Sequence, residues 1–383
     1  MFGKPKTYFY AIGVMTGYVI GIGMFGLPFI VSKSGILGFF IFLAVFGVIQ
    51  YFIHLVYANL IIVTKGYHRM PGYAEIYLGK AGKIVVFAAK FFGNMGAVLA
   101  YIIVTGIFAN ELFGPVFGGS EFFYGSMLFV FGGIIVFFGI SMISRTELFM
   151  SALLLVVVCL IAFKGRESIE LCNYNLLDWK YFLATYGVML MALDGNSAVP
   201  IVANILKKNK ELIKSAVKWG GSIIPIIIIS IFTLSIVGIS GSGTTPDALV
   251  GIKAVLKNGV VFFALAFGIL TMTTSFLLVS ESIKETLWWD FKVKKNLAWF
   301  IAVFTPYIFY VFGFHDLTKV ISFVGGVAGG LSAIMLILIF WKLKKLWKKI
   351  VIFKYIPGDF VIFSLVFIFF MGMLYEIYYF LIK

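Results

Sequence analysis

Charge is scarce in this chain: only 12% of its 383 residues are Asp, Glu, Lys or Arg, against 62% hydrophobic and 18% aromatic residues. A soluble fold needs a polar skin over its core, and so thin a supply excludes a water-soluble domain. Cysteine is nearly absent as well. Cys159 lies in an apolar run and Cys172 in a polar stretch, so no structural disulfide is expected. The three histidines, His54, His68 and His315, are scattered and have no metal-ligand spacing. Missing too are a phosphate-binding glycine loop, a GKS or GKT run, and a nucleophile paired with a base. An enzyme or an ATP-driven pump is therefore not expected.

What the chain does have is length in its apolar runs and a mean hydropathy of +1.06. Divided by the roughly 20 residues that a spanning helix needs, the runs predict eleven spans: 8–31, 36–63, 83–113, 121–143, 147–163, 179–206, 215–239, 258–283, 296–313, 317–341 and 358–381. The fold class read from this is an all-α integral membrane protein of eleven transmembrane helices in a single domain, 1–383. The basic start MFGKPKTYFY looks like that of a signal peptide, but the apolar stretch is too long and no small-residue cleavage site follows, so a retained first helix is expected. Of the 31 lysines and arginines, 22 then fall on one side and 8 on the other, with Lys90 inside the third span. That asymmetry predicts a multi-pass protein of the plasma membrane with its N-terminus cytoplasmic and its C-terminus outside. The net charge of +15 is thus an orientation signal and not a nucleic-acid footprint. The bilayer is the expected partner, and no nucleic acid or obligatory protein partner is implied.

Two loops hold more than a turn. Residues 66–82, GYHRMPGYAEIYLGKAG, suit a short interfacial helix on the cytoplasmic face, and residues 240–257 begin flexible and end as a short outer helix.

Two spans carry residues that break helices. The first has Gly17, Gly21, Gly23 and Gly26 ahead of Pro28; the sixth has Asp194, Gly195, Asn196, Ser197 and Pro200 at its middle. Non-helical backbone at membrane depth is tolerated only where it lines a cavity. Close helix packing is the competing use of the glycines. In the sixth span, Asp, Asn and Ser are N-cap residues and proline fits a first turn, so one half-helix ends and another begins there. The two breaks are five spans apart, as expected for two inverted five-helix repeats, 8–163 and 179–341, with an eleventh helix at 358–381 and the substrate between the breaks. Exposed half-helix ends offer NH groups at one pole and carbonyls at the other, which suits a zwitterion.

At these residues the chain resembles a known family. GIGMFGLPFIVSKSG is similar to the first-helix signature of the amino acid/polyamine/organocation superfamily, in particular its amino acid/auxin permease branch. MALDGNSAVPIVANILKKNKELIKSAV is similar to the sixth helix and basic loop of that branch, with weaker echoes in PGYAEIYLGKAGKI, AYIIVTGIF and FVGGVAGGLSAIMLILIFWKLKK. The resemblance implies the LeuT-type fold and secondary transport of a small amino acid by alternating access. Its substrate pocket is expected to be mostly backbone: Gly21, Ile22, Gly23 and Met24 from the first break, and Leu193, Asp194, Gly195 and Asn196 from the sixth. Tyr101 is placed to reach a substrate carboxylate and Asn94 to line the path, with packing as the alternative for both.

In the eighth span Thr271, Thr274 and Ser275 stand at i, i+3 and i+4, so their hydroxyls share one helix face. A sodium ion wants about five or six oxygens (compare), and the resemblance implies a site made by these hydroxyls with the carbonyls of Gly17 and Ile20. Hydroxyls bonded back to their own helix are the alternative. Sodium symport is the expectation. Proton coupling or uniport, extending to cationic substrates through Asp194, is the rival, and a sensor of the same fold is the competing class. Asp194 has three open roles: capping the second half-helix, carrying a proton, or attracting an ammonium group. Lys90 is expected to snorkel to the cytoplasmic interface, and Glu281, Lys284, Glu285, Arg145 and Glu147 are candidates for an inner gate, or plain interfacial charges. No cofactor beyond the coupling ion is expected.

Overall fold

The computed structural model describes residues 5–66, 68–139, 143–253, 255–256, 259–346 and 350–382, with 143–151, 290 and 382 described by backbone alone. Every regular element among them is helical. In chain order they are α1 (Lys6–Val19), α2 (Ile22–Ser34), α3 (Ile36–Val63), α4 (Met70–Phe117), α5 (Glu121–Phe138), α6 (Ile143–Gly165), α7 (Trp179–Phe182), α8 (Thr185–Leu193), α9 (Val199–Ile205), α10 (Lys210–Lys218), α11 (Ile224–Ser240), α12 (Leu249–Lys253), α13 (Val260–Glu285), α14 (Lys295–Val311), α15 (Leu317–Phe323), α16 (Gly330–Lys345) and α17 (Asp359–Ile382). Among the described residues, eight helical stretches, some joining two or three of these elements, are long and apolar enough to cross a bilayer, or nine when the bent pair α1 and α2 counts as one. Both α6 and α14, each expected to span, fall outside that set; α14 has only 17 residues.

Polar loop residues set several helix starts. Ser120 accepts from Phe123 N at 3.2 Å, Asn209 from Leu212 N at 3.1 Å and Asp316 from Lys319 N at 3.0 Å, each satisfying one orphan donor of a first turn. In the outer loop, buried Asp247 caps α12 through Leu249 N and Val250 N, at 3.0 and 2.8 Å. Desolvation there holds its carboxyl above the ordinary aspartate range. The stretch expected to form an interfacial helix is helical from Met70 and joins the long α4 across Gly79, whose φ of 78° lies where only glycine sits without strain.

Packing places the broken helices at the centre. Phe25 of α2 is fully buried between Phe108 of α4 and Phe232 of α11, edge to face at 5.8 and 5.6 Å. α17 is peripheral: 17% of its apolar window is buried, against 72% for the stretch Leu317–Lys345. Its outward aromatic and aliphatic side chains face where lipid would lie. Two π-turns, Trp219–Ile223 and Val324–Gly329, lie against the broken helices. One glycine of each meets backbone: a Cβ on Gly220 would sit 2.6 Å from Ile12 O of α1, and one on Gly325 would strike Gly187 O of α8.

Candidate functional site

Both helices expected to break do so. α1 stops at Val19, Ile20 and Gly21 leave helical geometry, and α2 departs from α1 at 50°. The break falls seven residues before Pro28, which sits within α2. α8 stops at Leu193; Asp194 is extended, and a 3-10 turn, Asn196–Ala198, leads into α9 with Pro200 in its first turn. Asp194 Oδ1 accepts from Asn196 N at 3.0 Å and from Asn196 Nδ2 at 2.6 Å, which closes a local turn at the break, whereas the N-cap of α9 is Ala198 with no side-chain cap.

The breaks touch. Gly23 is so close to α8 that an added Cβ would lie 2.6 Å from Ala192 Cα and from the Met191 carbonyl carbon. Gly195 in turn packs on α1, where a Cβ would lie 2.6 Å from Val19 Cγ2 and 3.0 Å from Met15 Cε. Each break thus needs a glycine for close approach to the other. α1 and α8 end, and α2 and the 3-10 turn begin, at this junction, so helix ends of opposite partial charge meet there, although Gly195 N and Asn196 N are already taken up by His54 and Asp194.

A cavity of about 410 Å³ opens from the junction. Of the nine substrate residues expected from sequence, Gly21, Ile22, Tyr101, Asp194 and Asn196 line it. Gly23, Met24, Leu193 and Gly195 do not: the two glycines are spent on helix contact, and Met24 and Leu193 are buried in the core. Gly21 faces open space, with nothing within 4 Å of an added Cβ. Tyr18, Tyr57, Phe87 and Phe91 add aromatic wall beside Tyr101, and Asn94 and Lys90 also line the cavity. Lys90 therefore sits on the cavity wall, where snorkelling to the interface was expected. Asn196 Oδ1 is buried without a hydrogen-bond partner among the described residues, because the amide nitrogen is turned to Asp194.

The five residues implied for sodium, Gly17, Ile20, Thr271, Thr274 and Ser275, lie off the cavity wall. Thr274 Oγ1 donates to Thr271 O of its own helix at 2.9 Å, whereas Thr271 Oγ1 is buried with no partner among the described residues. At the far end of the cavity, Arg69 spans from α4 to α13: its guanidinium meets Glu285 Oε2 at 2.9 Å, Thr286 Oγ1 at 2.9 Å and Ser282 O at 3.4 Å. Lys284 pairs with Glu281 at 2.8 Å and donates to Val136 O at 2.6 Å. Of the expected gate residues, the Arg145 and Glu147 side chains lie outside the described residues.

Two site residues escaped the sequence reading. His54 of α3 is fully buried, and its Nε2 accepts from Gly195 N at 3.1 Å, so this ring supports the second break and carries its proton on Nδ1. Glu376 of α17 is 1% exposed; its two oxygens accept from Gly187 N of α8 at 3.1 Å and from Ser322 Oγ of α15 at 2.8 Å. Burial deep in an apolar run was the available signal for both, and it names no partner.

With the site's geometry established, comparison with known proteins adds the following. No curated protein matches the chain by sequence. Among solved structures, MhsT in complex with L-phenylalanine is similar at a TM-score of 0.71 and 17% identity, covering 96% of this chain and 97% of that one. Mhp1, a nucleobase-cation-symport-1 family transporter in a closed conformation with bromovinylhydantoin bound, is similar at 0.64 and 13%, covering 86% and 77%. At such identities the likeness shows the fold, the LeuT fold of membrane transporters. The model of the tryptophan/tyrosine permease family matches residues 4–378. Paired broken helices around a central cavity, a transporter fold and a match over nearly the whole length agree: the chain belongs to the tryptophan/tyrosine permease family, a family of multi-pass membrane transporters.

Proposed function

We propose that this chain carries an aromatic amino acid across the plasma membrane by alternating access, coupled to a cation gradient. The carrying observation is the cavity at the junction of the two breaks, lined by Tyr18, Tyr57, Phe87, Phe91 and Tyr101 together with the acceptor residues Asp194 and Asn196. Aromatic rings favour an aromatic side chain by stacking and edge contacts. The acceptors suit its ammonium group, and the volume is in the range of small-molecule sites. The family's name and the L-phenylalanine bound to a protein of this fold support the same substrate class.

In this reading the chain has eleven spans in two inverted repeats with the N-terminus in the cytoplasm. The cavity then faces inward, and the Arg69 strap between α4 and α13 belongs to the inner gate. Substrate bridges the breaks, the gate closes behind it, and one helix set rocks against the other. Sodium is the coupling ion of choice: Thr271 Oγ1 is a buried acceptor in need of a partner, and the last carbonyls of α1 are released at Ile20. The back-bonded hydroxyl of Thr274 favours a second reading, proton coupling. Counterflow of labelled amino acids in proteoliposomes, with and without sodium at two external pH values, tests all of this. Exchange of tryptophan or tyrosine stimulated by sodium is the expected result. Saturable binding without exchange would mean a sensor, and stimulation by acid alone, intact in Thr271→Ala, would replace sodium by the proton.

A further inference from the structure

We propose that Lys90 is the carboxylate-binding pole of the cavity, opposite the ammonium-binding pole formed by Asp194 and Asn196. The inference rests on the amino-acid reading and adds the residue that tells an amino acid from its amine.

Lys90, Asn94, Ala97 and Tyr101 follow one another at i, i+4, i+7 and i+11, one stripe of α4, and all four line the cavity. Behind the cavity, a recess of about 60 Å³ is lined by Lys90, Asn94 and Asp194 together with Gly325, Ala328 and Gly329 of the π-turn. Its far wall is closed by contact between the two helices, since a Cβ on Gly93 would lie 3.1 Å from Ala328 Cβ. The Lys90 side chain therefore has its place between cavity and recess. It is partly buried and enters no hydrogen bond or ion pair among the described residues. An ammonium group has three donors and no acceptor, and a charge at membrane depth without a partner is costly.

Asp194 is the nearby charge of opposite sign, yet the two do not form an ion pair. Asp194 Oδ1 is occupied by Asn196, whose own Oδ1 remains an unpartnered acceptor. Simple charge compensation has a different appearance in this chain: Lys284 sits directly on Glu281 at 2.8 Å. Lys90 and Asp194 instead line a common space that offers the Lys90 ammonium as a donor without a partner among the described residues, and it adjoins Asn196 Oδ1, an acceptor likewise without one. A ligand with a carboxylate and an ammonium on adjacent atoms satisfies both, and charge-assisted hydrogen bonds are the strong kind.

The test is equilibrium binding to purified full-length protein of three probes that share one ring system: tryptophan, tryptamine without the carboxylate, and indole-3-propionate without the ammonium. In Lys90→Met, tryptophan and indole-3-propionate should each weaken by roughly 10- to 100-fold while tryptamine stays within about 2-fold. Asp194→Asn should show the opposite pattern, weakening tryptophan and tryptamine and sparing indole-3-propionate. Lys90→Arg keeps the charge and should retain most of the tryptophan affinity, which separates loss of the cation from misfolding. Equal weakening of tryptophan and tryptamine in Lys90→Met, or no weakening of tryptophan, overturns the assignment alone. A wild-type protein that binds no aromatic amino acid overturns both this inference and the reading beneath it.

Discussion

The contact between Gly23 and α8 can be tested by adding one methyl group. In Gly23→Ala the new carbon starts 2.6 Å from two backbone atoms, Ala192 Cα and the Met191 carbonyl carbon, whereas ordinary contact begins at 3.4 Å. Ala192 N lies nearer still, so the half-helices must separate by more than about 0.8 Å, because backbone has no rotamer with which to yield and packed interiors compress little. Two opposing terms bear on stability. Replacing a helical glycine by alanine contributes roughly 1 kcal/mol, and forcing a methyl into a filled site costs about 1–3 kcal/mol. The net loss is then about 0–2 kcal/mol, so the protein should fold, with a modest drop in thermal stability. Transport should suffer more, because the converging backbone poles are pulled apart. At substrate levels below saturation, uptake in proteoliposomes should fall by at least about tenfold, the effect of losing one charge-assisted contact. Gly21→Ala is the matched control: with nothing within 4 Å of its Cβ, stability should stay within about 0.5 kcal/mol. Wild-type uptake by Gly23→Ala would refute the claim that the two breaks act as one site.

His54→Phe should strand the Gly195 N–H and cost about 1–3 kcal/mol in thermal unfolding; His54→Gln, which keeps an acceptor, should recover part of it. Arg69→Ala should change stability by under about 1 kcal/mol, since both partners of its ion pair are partly solvated. The same change should speed the reaction of a thiol reagent with Ser197→Cys, a cavity position, by freeing the strap. For Asp247, the folded carboxyl titrates above its usual value of 3.8, so the native state holds the proton more tightly than the unfolded one. Its contribution to stability is then present at acid pH and lost as pH rises through the raised value. Amide exchange in α12 should speed up over that window, and Asp247→Asn should flatten the dependence.

The breaks were legible in the sequence because glycine, proline, aspartate and asparagine contradict the apolar runs that contain them. Their positions were less so: Pro28 draws attention to the wrong turn, since the helix opens at Ile20, where the side chain carries no signal at all. Residues that support the site from a distance were invisible for another reason. His54 and Glu376 sit in helices with apolar residues on nearly every side, so periodicity does not say which face looks inward, and only packing brings His54 to Gly195 or Glu376 to Gly187. The pocket was read as mostly backbone, but two of the glycines named for it, Gly23 and Gly195, serve the contact between helices, and besides Tyr101 the lining gains aromatic rings from α1, α3 and α4, Tyr18, Tyr57, Phe87 and Phe91, that looked like core.

The π-turns at Trp219–Ile223 and Val324–Gly329 meet α1 and α8 through Gly220 and Gly325, main chain against main chain. Where interlocked side chains join two helices, they behave as meshed teeth, and relative travel demands that each tooth disengage and find a new slot. Backbone meeting backbone at a glycine presents fewer teeth, so a small shift of a half-helix there requires less repacking than one past interlocked side chains. Larger residues at these two glycines would act as a brake, even if every group that touches the cargo were left intact.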